Sequence, residues 1–455
     1  MTDKTLGDLV EEVSGLTSAT TSLLNQVTTS KATLDKAEKT ATASAASAKS
    51  DAATATTKAA EAKESETNAK KSADSAAAVV TGGTASLNPA AGKIPLADGN
   101  GRISGDWVAP YIKDSYRHAV ESATGGKNTV LYDSQGNANV MVVIPRFTYD
   151  DIGMTDVMGS GDVTAFVKDG DALPEIFIGK YLASSSSAAS MPGVDPRTSI
   201  NFDTAKKACE DKGSGWHLMT AHEWAAVSLW CIANGYQPTG NTQYGRSHEN
   251  YFEFGRRGDG KAANDRSGAA RTNTGSGPAA WAHDKTDAGV YDLVGNVWEW
   301  QLGLKTQDGR VICTPDNDFA MPEASWVAQD CYFDSPAAGD ESDKGSKGAQ
   351  FINSKVTNYA GPKGDNGYYA DNSQTWDAIT KDPSYVSNEL MKRLLIEPVG
   401  KDIQGRMYIR NYGERLPFRG GRWAHGSGAG LAALGLFGAR SNASSNIGFR
   451  PAFAA

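Results

Sequence analysis

Four cysteines, Cys209, Cys231, Cys313 and Cys331, and six histidines, His118, His217, His222, His248, His283 and His425, are the side chains of this 455-residue chain best suited to nucleophilic or metal chemistry. Their spacing does not assemble it. The cysteines are too few for a disulfide scaffold and too far apart for a CxxC zinc site, which predicts buried free thiols. His217 and His222 are five apart, and His222-Glu223 lacks the second histidine of a zincin helix. Arg257-Gly258-Asp259 reads as a chance tripeptide in Gly-rich surroundings, and GPKGD at 361–365 is too short for collagen. Trp298 and Trp300 flank Glu299, and a strand there puts both indoles on one face as core anchors. Gly295 and Asn296 are turn formers suited to positive φ. Arg450 follows an apolar run, which predicts an internal acid partner.

Composition narrows the class of molecule. Apolar residues at 39% and charged ones at 22% suit a folded protein and exclude a wholly disordered chain. Acids outnumber bases 53 to 45, and the resulting charge of −8 argues against nucleic acid or an anionic membrane as partner. No stretch reaches 18 apolar residues, and the first twenty residues carry acids without an apolar run. Neither membrane insertion nor a secretory signal is expected, and synthesis is expected in a cytoplasm.

Two unlike regions must position these residues. The first 106 residues contain no aromatic side chain and cannot build a globular core. Over 1–80 they repeat at 3,4 spacing instead, with Leu6, Leu9, Val13, Leu16, Leu23, Val27 and Leu34 on heptad a and d positions. Beyond Leu34 the seam thins to Ala55, Ala62, Ala69 and Ala76 against Asp51, Lys58, Ser65 and Ser72, and a solvated linker is the alternative over 50–80. Abundant alanine, and no glycine between Gly15 and Gly82, predict a helix of about 110 Å. One chain cannot bury a heptad seam, so parallel stalks in an oligomer of two or three chains are expected. Residues 81–127 read as a Gly/Pro-rich neck.

The head, 128–455, holds nearly all the aromatic residues and all four cysteines. Strands are predicted at 139–145 and 175–182, and helices at 204–212 and 220–234, the second opening on a Thr220/Glu223 capping box. Much of the remainder is Gly/Asn/Ser/Asp loop, where binding tends to reside.

The neck phrase AAGKIPLADGNGRIS, following an Ala/Ser/Lys-rich coiled coil, resembles the shaft of bacteriophage tail fibres, which are usually trimers. Four ordered phrases of the head resemble the C-type lectin-like fold shared by formylglycine-generating enzymes and some phage receptor-binding tips. They are NVMVVIPRF (139–147), WHLMTAHEWAAVSLW (216–230), GVYDLVGNVWEW (289–300) and the closing FRGGRW…NIGFRPA. Matching residues include Thr220, Glu223, Trp224, Arg419, Gly420, Gly421, Trp423, Arg440, Phe449 and Arg450. Residues 302–405 match nothing in the pattern and read as a large insertion. The resemblance implies an α+β protein, a parallel and trimeric coiled-coil stalk ahead of a C-type lectin-like domain.

The same resemblance weighs enzyme against binder. The formylglycine-generating branch needs two cysteines in the closing phrase. His425 and Gly430 stand at those positions and no cysteine follows Cys331, so no enzyme is expected. Calcium-binding members use oxygens around the GNVWEW turn, which makes Asn296 and Glu299 candidate calcium ligands, with turn formation and internal hydrogen bonding as the alternative. No other cofactor is expected. In phage receptor-binding proteins of the major tropism determinant type, fixed closing residues hold the fold and those between them touch the receptor. Carried over, the receptor contacts are Arg422, Trp423, Ala424, His425, Gly428, Leu431, Leu434, Leu436, Phe437, Asn442 and Ser444. Leu434, Leu436 and Phe437 would form an apolar patch edged by Arg422 and His425, suited to a protein receptor more than a glycan; core or trimer interface is the alternative. The function implied is that of a phage tail fibre adhesin. It would be a homotrimer in the virion, joined to the tail or baseplate through its N-terminus, binding a bacterial outer-surface receptor during adsorption. A polysaccharide-cleaving tail spike, which needs paired carboxylates, and a purely structural fibre are the competing readings.

Overall fold

The computed structural model describes residues 5–81, 85–87, 90, 93–97, 99, 101, 115–184, 187–338, 349–359, 373–400 and 403–455. The chain divides into two compact units, Met1–Lys113 and Asp114–Ala455.

In the first unit, α1 (Leu6–Thr81) is one continuous helix, which runs through 50–80 where a linker was the alternative. It opens on a reciprocal cap. Asp8 N–H donates to Thr5 Oγ1 (3.4 Å) and Thr5 N–H donates to Asp8 Oδ2 (2.9 Å). The heptad leucines and valines all stand exposed, Leu6 at 83%, because an isolated helix has nothing to bury its seam against. Ala85–Ser86 and Ile94–Pro95 pair in parallel beyond it. Much of the AAGKIPLADGNGRIS phrase and of the neck, including all of 102–114, lies outside the described residues. Among the described residues, no helix is long and apolar enough to cross a membrane.

The second unit is a mixed α/β domain. It begins with α2 (Ser115–Thr124), whose Arg117 Nε donates to Val130 O at 2.8 Å. Next come β1 (Asn128–Tyr132), β2 (Ala138–Pro145), β3 (Glu175–Gly179), α3 (Phe202–Glu210), β4 (Trp216–Leu218) and α4 (Ala221–Ala233). The predicted capping box starts α4. Glu223 N–H donates to Thr220 Oγ1 (3.0 Å) and Thr220 N–H to Glu223 Oε2 (2.9 Å). After a long loop region the chain forms β5 (Trp298–Trp300), β6 (Leu304–Gln307), β7 (Arg310–Cys313), β8 (Val327–Asp334), β9 (Phe351–Asn353) and β10 (Ser373–Thr375). It closes with β11 (Arg406–Ile409), β12 (Glu414–Arg415), β13 (Phe418–Gly420), β14 (Gly430–Leu436), β15 (Ile447–Gly448) and β16 (Pro451–Phe453).

These strands make three sheets, ordered β1-β2-β3-β16-β4, β10-β11-β14-β13-β5-β15 and β9-β8-β7-β6-β12. The last strand returns between β3 and β4, so the two ends of the unit are tied into one sheet. The 302–405 segment closes the core rather than decorating it. It supplies β6 to β9 of the third sheet and edge strand β10 of the second, and its Leu304, Val311, Phe333 and Ile352 share one core with Trp224 and Leu434.

Three of the fully buried indoles donate their N–H groups to backbone carbonyls, whereas Trp281 Nε1 is buried without a partner. Trp224 donates to Leu431 O (2.9 Å), Trp300 to Ile200 O (3.0 Å) and Trp376 to Leu395 O (3.2 Å). Trp298 and Trp300 lie in the same apolar cluster, both against Phe418. All four cysteines are free and buried. Burial pushes every thiol up, Cys313 and Cys331 to about 12, so none is a nucleophile at neutral pH.

Candidate functional site

The closing segment turns away from β13 at Gly420-Gly421. Gly421 has φ 91°, and a Cβ there would stand 2.7 Å from Ala429 Cβ, so glycine lets the 421–428 loop fold back on itself. On that loop Arg422 is half-buried, and its Nε donates to His425 Nε2 at 3.1 Å. Burial, with the Arg422 charge beside it, pushes His425 down to about 3, so the ring is neutral. His425 stacks on Tyr408 (5.4 Å) and meets Trp298 edge-on (5.2 Å). Phe437 packs on Tyr408 (6.1 Å) and Phe418 (5.0 Å). Arg422, His425, Tyr408 and Phe437 therefore form one continuous half-buried row beside strands β11 and β14 of the second sheet.

The other predicted contacts divide. Trp423 is buried against Leu182, Ala270 and Val297, with half-buried Ala424 beside it, so Trp423 is an anchor rather than a contact. Gly428 is buried. Leu431, Leu434 and Leu436 lie wholly in the core, which corrects the expected apolar surface patch. The reason is their strand. β14 is hydrogen-bonded to β11 on one side and β13 on the other and is buried along its whole length. Asn442 and Ser444 are half-buried on the following loop, where Ser444 O accepts from Ser199 N–H (3.0 Å). Arg440 fixes that loop by ion pairs to Glu414 (2.9 Å), Glu323 (2.6 Å) and Asp203 (2.7 Å), joining β12, the 302–405 segment and α3.

The expected calcium ligands are committed internally. Gly295 and Asn296 adopt φ of 75° and 56°, the turn their types predict. Asn296 Oδ1 accepts from Thr272 N–H (2.8 Å) and its Nδ2 donates to Thr272 O (3.1 Å). Both Glu299 oxygens accept from Arg450, at 2.9 and 2.8 Å, which is the acid partner expected for that arginine. Burial pushes the Glu299 carboxyl up and the guanidinium opposes it. The buried Arg450 guanidinium already supplies the counter-charge of this carboxylate and would repel a cation placed beside it, so the pair does not fit calcium. Among the described residues no three His, Cys, Asp or Glu side chains gather as a metal site. Close by, Asp292 Oδ2 accepts from Gly275 N–H (2.9 Å), and burial pushes this carboxyl up to about 6.

A second loop, 241–256, lies against the 421–428 loop. Gly426 N–H donates to Thr242 O (3.0 Å) and Tyr244 N–H to Trp423 O (2.6 Å). Buried polar side chains hold it from within. Asn241 Oδ1 accepts from Gly245 N–H (2.7 Å), Thr242 Oγ1 from His248 N–H (2.9 Å) and Ser247 Oγ from Glu249 N–H (3.1 Å). Arg246 and Phe254 pair as an antiparallel bridge. Past this clasp Tyr251, Phe252 and Phe254 project at 59, 91 and 62% exposure, with the Arg246 guanidinium 4.3 Å from the Tyr251 ring centre. The sequence reading missed this loop, although three aromatic residues in four between Asn250 and Gly255 were its visible signal. Arg257 pairs with Asp259 (2.9 and 2.6 Å) and its guanidinium is buried, so the Arg-Gly-Asp tripeptide is an internal clasp.

Elsewhere on the unit a cleft of about 740 Å³ is lined by Val142, Phe147, Trp230, Tyr236 and His283. Its carboxylates are engaged in turns, Asp151 with Thr148 and Asp284 with Thr286.

No family model and no curated protein matches the chain. Among solved structures it is similar to the Major Tropism Determinant I1 variant, at 12% identity and a TM-score of 0.25 over 65% of this chain. That match spans 56% of the other protein's length. It is also similar to Treponema denticola variable protein 1, at 12% identity and a TM-score of 0.27 over 72% of this chain and 99% of that one. A third likeness is the Major Tropism Determinant M1 variant, at 11% identity and a TM-score of 0.27 over 72% and 71%. Likenesses this distant transfer no function; the side chains at the surface of the two loops must supply it.

Proposed function

We propose that this chain is a bacteriophage tail-fibre adhesin whose head binds a protein receptor on the bacterial outer surface during adsorption, without covalent catalysis. One observation supports the head's role above the others. The 241–256 and 421–428 loops are hydrogen-bonded to each other and, over a tightly packed core, hold Arg422, His425 and a group of exposed aromatic side chains at the surface. Ordered loops on a rigid scaffold are the usual seat of recognition, and Tyr, Phe and Arg are well represented at protein interfaces. The contacts carried forward are Arg422, His425, Phe437, Asn442 and Ser444, with Ala424 at their margin.

The exposed leucine and valine seam of α1 supports parallel association through the stalk. A homotrimer, attachment to the tail or baseplate through the N-terminus, and a place in the virion rest on that seam and on the resemblance of the neck phrase. The test is whether the purified full chain binds whole bacteria and blocks adsorption of its phage. Release of sugar fragments from host polysaccharide would favour a cleaving spike instead.

A further inference from the structure

We infer that the Tyr251–Phe252–Phe254 finger, braced by Arg246, is the primary anchor of the head and inserts into an apolar, acid-rimmed pocket of a protein receptor. This rests on the adhesin reading and moves the centre of recognition off the closing segment.

Three observations support it. First, the exposure is extreme for these residue types. Among the described residues, the other large apolar side chains exposed in the head are separated along the sequence, such as Val386 at 84%, whereas here three aromatic rings fall within four residues. Contiguous exposed apolar surface on a folded domain marks an interaction site. Secondly, the finger is pre-organised. The bonds to Asn241, Thr242 and Ser247 and the Arg246–Phe254 bridge fix its base, so little ordering remains to be done on binding. Glu253, between the rings, is turned back, its carboxylate accepting from Asn250 Nδ2 (3.0 Å) and from the Thr239 hydroxyl.

Thirdly, the charge around the finger sets the partner's chemistry. Residues 244–272 carry six basic side chains against four acidic ones, in a chain whose net charge is −8. Arg256 is exposed next to the finger, Arg246 lies on Tyr251, Arg266 lies over Tyr244 (5.8 Å) and Arg422 follows on the neighbouring loop. Arg257 and Asp259 neutralise each other and Arg271 pairs with Asp195 (2.6 Å), which leaves Arg246, Arg256, Arg266 and Arg422 as the cations nearest the finger, while Asp265 accepts from Ser267 (2.6 Å). A cationic rim around apolar rings complements an acidic rim around an apolar pocket. Phenylalanine lacks the polar handle by which tyrosine and tryptophan satisfy a wet ligand, so the two rings favour a protein pocket over a glycan.

The experiment measures binding of fluorescently labelled full chain to whole bacterial cells. It compares wild type, Phe252→Ser/Phe254→Ser, Arg246→Ser and the distant control Val386→Ser, with circular dichroism and sedimentation on each. The expected result is a loss of at least about 30-fold for the double variant, a loss of about 3- to 10-fold for Arg246→Ser, and an unchanged control. Protease treatment of the cells should abolish wild-type binding. Wild-type binding that the double variant retains within 3-fold would overturn the finger and leave the adhesin reading standing. Binding that survives protease but is lost on stripping surface polysaccharide would overturn the protein partner. A changed oligomeric state in the double variant would make the finger an interface between copies and also overturn the proposal. Failure of the wild type to bind any cell would sink the adhesin reading itself.

Discussion

Two apolar stretches of the head have opposite fates. The run GLAALGL of β14 is buried at every residue, whereas YFEF at 251–254 exposes all three of its rings. Hydrophobicity alone does not separate them; neighbours do. β14 has a parallel partner in β11, an antiparallel one in β13 and cover on both faces, the condition under which strands read as unbroken apolar runs. The finger lies between Asn250 and Gly255 and is tied at its base through the Arg246–Phe254 bridge and the Glu253 carboxylate, while its rings belong to no sheet and stand exposed. In this fold an apolar run inside a sheet holds the head together, and an apolar tip on a polar loop is available to something else.

The contrast breaks most sharply under charge. Leu434→Asp places a carboxylate in the core and is expected to unfold the head, a loss above about 4 kcal/mol, whereas Phe252→Asp should leave urea unfolding within about 0.5 kcal/mol. Tolerance of Leu434→Asp would erase the distinction. Next in size, Glu299→Ala strands Arg450 in the core and should cost about 3–5 kcal/mol, read by denaturant unfolding. Added calcium should leave the wild-type melting temperature unmoved, and a calcium-dependent rise would restore the ion site excluded above.

A smaller effect tests Asp292, buried near the Glu299–Arg450 pair. Its folded pKa of about 6 lies above the usual 3.8, so the native state holds the proton more tightly. That contribution is full below the unfolded value and is lost as pH rises through 6. Asp292→Asn should therefore stabilise the head by about 1–3 kcal/mol at pH 7.5 and flatten its stability between pH 4 and 7. Its carboxamide oxygen can still accept from Gly275. A stability that falls on this substitution at pH 7.5 would contradict the buried-carboxylate account. The smallest effect on folding is expected for Phe252→Ser/Phe254→Ser, whose melting should stay within about 2 °C of wild type by calorimetry while binding collapses.

Features written in local pattern were legible from the sequence. The Thr220/Glu223 box, the paired indoles of β5, the acid partner of Arg450, the neutral thiols and the long N-terminal helix all follow from spacing within a few turns or from residue type. Features that depend on distant pairing were not. β6 pairs with β12 more than a hundred residues away, so nothing local marked 302–405 as the missing sheet of the core. The same limit applied to Leu431, Leu434 and Leu436, since a short apolar run reads alike until its neighbouring strands are known. The finger was missed for the opposite reason. Its signal was local and strong, but the family pattern of the closing segment drew the expected contacts elsewhere.

The most direct measurement of the proposed adhesin role is saturable binding of the purified full chain to whole bacteria, together with competition against phage adsorption to the cells it binds. The account predicts saturable binding that blocks adsorption and is lost when the 251–254 finger is replaced. A chain that is folded and assembled yet neither binds bacteria nor slows adsorption would contradict it.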